Sequence, residues 1–260
     1  MFLEADRTVE LHAQFGSYYK VRIPKFGRDM AYRESTAELF ISASGNEVYR
    51  LNLDVGRFFN PIATSSPNGV NVCGICPIHE LLALGCENGM LECWDPRSRS
   101  RTASLDIAKD VLASAGIDST TRSGLNNAVT ALRFDLDGLS LALGTRSGHV
   151  LMYDLRSSTP LFVKDHRYDQ PIVDIKFHPN RQHIISSDTK VVKIWDRKSV
   201  CIHLYPHCVA HTHTHTHALS HTHTHTHMCG CSIWFRYATA DCPRQHRAQE
   251  QHQRRLLDRR

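Results

Sequence analysis

The chain has 260 residues, 41% of them hydrophobic and 22% charged, and a formal net charge of +5. That much apolar material can bury a sizeable core, which excludes a wholly disordered chain, and no run approaches the roughly 18–20 apolar residues of a membrane span. The opening residues, Met1 to Asp6, lack the basic-then-apolar order of a secretory leader, so a soluble, intracellular chain is expected.

The charge is unevenly placed. Residues 1–199 hold 24 Lys+Arg against 23 Asp+Glu, whereas residues 200–260 hold seven against three, with 12 of the 18 His and five of the nine Cys. The net charge therefore belongs mainly to the last sixty residues, and it does not argue for a nucleic-acid surface on the rest.

In chain order, Arg7-Thr-Val-Glu-Leu-His12 reads as a first short strand. Tyr18 to Tyr32 follows, with Lys20, Arg22, Lys25 and Arg28 interleaved with aromatics and a Pro. Strand alternation puts Lys20 and Arg22 on one face, so a polar channel or a partner surface suits them better than a wholly buried strand. These four cations are candidate contacts to a partner or to RNA, with a solvated edge as the plain alternative. Asn46 to Leu51 reads as another strand.

From Val72 onward a pattern recurs. Val72 to His79 and Leu81 to Gly85 lead to Glu87-Asn-Gly-Met-Leu-Glu-Cys-Trp94-Asp95. Val129 to Asp135 and Leu139 to Gly144 lead to Arg146-Ser-Gly-His-Val-Leu-Met-Tyr153-Asp154, and Ile172 to Pro179 and His183 to Ser187 lead to Val191-Val-Lys-Ile-Trp195-Asp196. Each unit is a strand, a polar turn, a second strand, another turn, and a third strand closed by an aromatic-Asp pair. A fourth, outer strand fits after each mark, best at Thr159 to Lys164. With His12, Tyr49, Trp94, Tyr153 and Trp195 as register marks the steps are 37, 45, 59 and 42 residues, against about 40–45 for WD repeats. The long step contains an insertion, Ala108 to Asn126, beside which Ile107 to Ala113 is the expected helix.

Four strands per unit at this period make a β-propeller blade, and the aromatic-Asp register favours that all-β fold over a sandwich or barrel. About four blades and a leading strand are expected, the last blade without a convincing outer strand after Asp196. The abrupt entry at Arg7 is expected to mark part of a larger ring with open edges. Residues 1–199 are thus a partial propeller. Residues 200–260, with alternating His-Thr runs at 211–217 and 221–227, are expected to be a disordered tail whose repeats look like read-through past an exon end; a metal-binding His tract is the alternative.

Chemistry-bearing motifs are sparse. Cys73-x-x-Cys76 lies in a predicted buried strand with no second Cys pair, and Cys86 and Cys93 read as core, so a redox or zinc reading is disfavoured. No nucleophile elbow, phosphate loop or metalloprotease helix occurs. No enzyme activity, cofactor, metal site or small-molecule substrate is expected. Arg97 and Arg156, two residues after Asp95 and Asp154, could dock a partner through bidentate bonds or simply close the corner.

Several segments resemble one family: Ile23-Pro-Lys-Phe-Gly-Arg-Asp29, Glu47-Val-Tyr-Arg-Leu-Asn-Leu53, Glu92-Cys-Trp-Asp-Pro-Arg97, Leu151 to Ser157 and Val163-Lys-Asp-His166. From about Leu3 to Ser199 the chain resembles the nucleolar protein ten family, WD-repeat proteins of the small-subunit processome. The resemblance implies a stretch of a seven-bladed propeller, truncated here at both ends. It also implies a nucleolar, non-enzymatic scaffold in pre-rRNA processing and small-subunit assembly, with pre-ribosomal proteins and pre-rRNA as partners and no membrane. The alternative is a substrate receptor of a cullin-based ubiquitin ligase, which would use Arg97 and Arg156.

Overall fold

The computed structural model describes residues 2–3, 6–114, 127–179, 182–197 and 202–205. The first sheet holds β1 (Phe2–Leu3), β2 (Thr8–Ala13) and β3 (Gly16–Arg22). The second holds β4 (Gly27–Arg33), β5 (Glu38–Ala43), β6 (Glu47–Asn52) and β7 (Arg57–Ala63). The third holds β8 (Val70–Ile75), β9 (Leu82–Cys86), β10 (Met90–Asp95) and β11 (Ser100–Asp106). The fourth holds β12 (Val129–Phe134), β13 (Ser140–Thr145), β14 (His149–Asp154) and β15 (Pro160–Asp165). The fifth holds β16 (Asp174–Phe177), β17 (His183–Ser187), β18 (Val192–Asp196) and β19 (Ile202–Tyr205).

Every sheet is an antiparallel meander in chain order, and β4, β8, β12 and β16 stand next to one another as the innermost strands. This is a stack of propeller blades. The helix α1 (Ile107–Ser114) lies where the sequence places it; it buries Ile107, Ala108, Val111 and Leu112 along one face, and Asp106 accepts the Lys109 amide at 3.2 Å as its cap.

The blades share one register. Leu51, Trp94, Tyr153 and Trp195 pair with Leu39, Leu82, Leu141 and Ile184, so these four are equivalent. The second repeat is therefore marked by Leu51, and Tyr49 sits two residues earlier on the same face; the steps become 43, 59 and 42 residues. The leading strand at Arg7–His12 proves to be part of a sheet. Arg7 has φ 68° where Gly89 and Gly148 have 79° and 83°, and its carbonyl accepts the Ile23 amide as theirs accept Ile107 and His166. β1, β2 and β3 thus match the second, third and fourth strands of the other sheets. The outer strand missing from the sequence reading of the last repeat is β19, paired to β18 through Val192–Tyr205 and Trp195–Ile202. It lies at 202–205, inside the segment expected to be disordered; 206–260, with both His-Thr runs, lie outside the described residues.

Apolar packing holds the blades together. Sheets three and four share a core of Leu91, Cys93, Val129, Leu132, Leu141 and Leu151 among others; sheets four and five share Ala142, Val150, Met152, Ile172, Ile175 and Ile184. Each fully buried aliphatic side chain contributes about 1.5–3 kcal/mol. Close approach is secured by glycine: a Cβ on Gly85 would stand 2.6 Å from Val129, and one on Gly144 would stand 2.6 Å from Ile172. Both intruding side chains come from the next blade.

Candidate functional site

Strand polarity gives the blades two ends. The corner end carries the turns between first and second and between third and fourth strands, and hence both aromatic-Asp-x-Arg corners. At the first corner the Arg97 amide donates to Asp95 Oδ1 at 2.9 Å and Ser98 to Oδ2 at 3.1 Å. At the second, Asp154 takes the Arg156 amide at 2.9 Å, its Nε at 2.9 Å and its Nη2 at 2.7 Å. The Asp95 carboxyl is held below its ordinary range, first by the Arg97 amide; that of Asp154 is held down to about 2, first by the Arg156 side chain. Asp is the corner residue because it accepts from its own backbone two positions on.

Arg97 does not use its own Asp. Its Nη2 donates to Glu80 Oε2 at 2.9 Å, and the same oxygen accepts Arg33 Nη2 at 2.6 Å. Arg33 also lies 3.5 Å from Glu38, whose other oxygen accepts Arg50 Nη2 at 2.5 Å. An alternating chain Arg50–Glu38–Arg33–Glu80–Arg97 runs from the core of sheet two to the exposed corner of sheet three. Hydrogen bonds from Ser35, Arg97 and Arg33 hold the Glu80 carboxyl at about 2. Arg50, 3% exposed, lies over the rings of Phe40 and Phe59. The last corner uses Arg197, which donates to Asp135 at 2.7 Å and so ties sheet five to sheet four. Between the corners of sheets three and four runs a groove of about 220 Å³ lined by Leu81, Cys93, Leu105, Leu155 and Arg156.

At the opposite, loop end, Arg28 occupies a β-bulge in β4, as Asn71 does in β8 and Thr130 in β12. Arg28 donates to Asn71 Oδ1 and reaches Glu87 at 3.3 Å, Asn71 donates to the Val129 carbonyl at 2.9 Å, and Thr130 to that of Ile172 at 2.7 Å. Each bulge turns a polar side chain toward the next blade. Glu87 also pairs with Arg146 of sheet four at 2.7 Å. Lys25 is exposed in the loop after β3, its side chain against Gly45; Lys20 pairs with Glu10 at 2.5 Å and Arg22 is exposed on the same face of β3. The six cations are thus dispersed: Arg97 and Arg156 at the corner end, Lys25 and Arg28 at the loop end, Lys20 and Arg22 on the outer face of the first sheet.

Sequence reading missed the polar cluster behind Trp195. Trp195 Nε1 donates to Ser186 Oγ at 2.7 Å, Ser186 meets His166 Nε2 at 2.6 Å, and His166 Nδ1 meets Asp188 at 3.1 Å, all buried. Burial pushes the His166 pKa down against the pull of Asp188. The signal was available: a buried indole N–H needs an acceptor. The other marks solve this differently, Trp94 on Glu92 at 2.9 Å and Tyr153 on Asp110 of α1 at 2.7 Å.

Cys73, Cys76, Cys86 and Cys93 are free and buried. Burial pushes the Cys73 thiol up, that of Cys86 to about 12 and that of Cys93 to about 11, the reverse of what a reactive thiolate needs. Among the described residues no group of three or more His, Cys, Asp or Glu could hold a metal ion, and no helix is long and apolar enough to cross a membrane.

Residues 1–227 match the family described as Nucleolar protein 10-like, N-terminal domain. Nucleolar protein 10 of Danio rerio is 47% identical over 197 residues, which cover 76% of this chain and 26% of that protein. Nucleolar protein 10 of Homo sapiens is 44% identical over 200 residues, 76% of this chain and 28% of the relative. Ribosome biogenesis protein ENP2 of Saccharomyces cerevisiae is 40% identical over 198 residues, 75% and 26%. The chain spans little more than a quarter of the length of these relatives.

Proposed function

Because the chain belongs to the nucleolar protein 10-like family, we propose that it acts in ribosome biogenesis in the nucleolus, as a non-enzymatic scaffold for pre-rRNA processing and small-subunit assembly. The observation that carries this is the match over all five described sheets to proteins named for the nucleolus and for ribosome biogenesis. The chemistry of the surface agrees: its corner carboxylates and guanidinium groups bond to one another and hold blades in place, leaving shape and display as what it offers.

Its partners are then proteins of the small-subunit processome, with pre-rRNA as a further contact. Lys20, Arg22 and Lys25 are the exposed cations for such contacts, and Arg156 flanks the corner groove; Arg28 and Arg97 serve first as links between blades. The ligase-receptor alternative needs both corner arginines available for an adaptor, and each bonds a carboxylate of the chain itself.

The test is sedimentation of the tagged full chain from nuclear extract on a sucrose gradient. Co-migration with large pre-ribosomal particles is expected, lost after Lys20→Glu with Arg22→Glu. A chain found solely in light fractions, or one captured with a cullin adaptor instead, would overturn the proposal.

A further inference from the structure

The faces on which blades meet are built on the same four positions each time. On the second strand these are Phe40 in sheet two, Ala83 in sheet three and Ala142 in sheet four; paired with them on the third strand are Arg50, Cys93 and Met152. Two residues before those stand Val48, Leu91 and Val150, and all nine are buried against the following blade or its edge. The fourth position is small (Ser42, Gly85, Gly144), and where it is Gly85 or Gly144 it receives Val129 or Ile172.

Sheet five repeats the set as Ile185, Ile194, Val192 and Ser187, in the same pairing, Ile185 with Ile194 and Ser187 with Val192. Here all four are half-buried. At the inner margin of this face Lys176 and Asp174, 3.4 Å apart, add one charge of each sign. An apolar centre with a polar margin is the anatomy of an interface.

The far face of sheet one differs in kind. Strand pairing puts Thr8 beside Arg22 and Glu10 beside Lys20 there, with Lys20 held by Glu10 at 2.5 Å. Setting that face on the isoleucines of sheet five would bury charges without partners, which costs several kcal/mol. A head-to-tail stack of chains is thereby disfavoured, and the sole apolar face that a copy of this chain offers, among its described residues, is the same one.

We propose that the far face of sheet five is a self-complementary docking surface on which a second copy of this chain packs about a twofold axis, Ile185, Val192 and Ile194 against their counterparts. A twofold contact closes at two, so a dimer and nothing larger is expected.

The test is sedimentation velocity of the purified full chain over a wide concentration range. A monomer–dimer equilibrium is expected, and Ile194→Asp should raise the dimer Kd at least about a hundredfold by setting a carboxylate in the apolar centre. Tryptophan fluorescence and far-UV circular dichroism show whether that variant is folded. If it is not, Lys176→Glu on the exposed margin is the second variant; it sets like charges together and should weaken the dimer about tenfold. A monomer at every concentration means that something else, residues 206–260 included, covers the face, and overturns the proposal. So do an open-ended ladder of oligomers or a dimer indifferent to both substitutions.

Discussion

Arg28 and Asn71 hold the same bulge position in adjacent blades, and the guanidinium of the first donates to the side-chain carbonyl of the second. Asn71 in turn donates to the Val129 carbonyl of the blade beyond, so one amide side chain links three sheets. Asn71→Ala strips both neighbours and should cost about 1–2 kcal/mol, read as a lowered urea midpoint at unchanged slope. Arg28→Ala should cost less, since Glu87 keeps Arg146 at 2.7 Å. Equal losses for the two would show that Asn71 is not the joint.

Glycine at the blade contacts is a matter of space. Gly144→Ala places a methyl 2.6 Å from Ile172 and should destabilise by about 1–3 kcal/mol. Part of that loss should vanish when Ile172→Val is added, giving a favourable coupling in a double-mutant cycle. Strict additivity would mean that the two side chains do not compete.

Two aromatic residues make a contrasting pair. Trp195→Phe removes the indole N–H from Ser186, at 2.7 Å, along with part of the ring's packing, and should cost about 1–3 kcal/mol in thermal or urea unfolding. The Tyr49 hydroxyl is buried with no hydrogen-bond partner, so Tyr49→Phe should be neutral or stabilising by up to about 1 kcal/mol. A large loss in the second variant would reveal an acceptor for that hydroxyl.

Acid should weaken the fold before its carboxylates titrate. Burial depresses the His166 pKa below its ordinary 6.5, so below that value the unfolded chain takes up a proton that the folded chain refuses. Stability is then unaffected by this group above pH 7 and falls as the pH drops through 6.5. Urea midpoints at pH 7.5 and 5.5 should differ in wild type, and differ less in His166→Gln, whatever that variant's absolute stability. An unchanged difference would assign the pH dependence to other groups.

Along the charged chain, burial sets the consequence. Glu38→Ala leaves Arg33 and Arg50, 5% and 3% exposed, without their shared carboxylate and should cost about 3–5 kcal/mol. Arg97→Ala, at the exposed end, should change stability by less than about 1 kcal/mol. Differential scanning fluorimetry separates the two outcomes directly.

The blade repeat was legible because sheet period, turn chemistry and the aromatic-Asp mark are local: each needs a few neighbouring residues, and at Trp94, Tyr153 and Trp195 all three coincide. At Leu51 the mark is absent, and Tyr49, the nearest aromatic, misplaced the register by two residues. β19 was missed for a related reason. An outer strand pairs on one edge alone, so its sequence need not alternate, and Ile202–Tyr205 becomes a strand through its bonds to β18.

The sequence by itself determined that the chain forms blades, roughly how many, and that Asp95 and Asp154 turn the corners, since strands and turns are specified by short-range pattern. Only the tertiary structure decided what each cation does. Whether Arg28 or Arg97 meets solvent, a carboxylate or another blade depends on residues forty to sixty positions away, as Asn71, Glu87 and Arg33 are. Charge is read along the chain, but pairing is a property of distances, and distances are set by how the sheets stack.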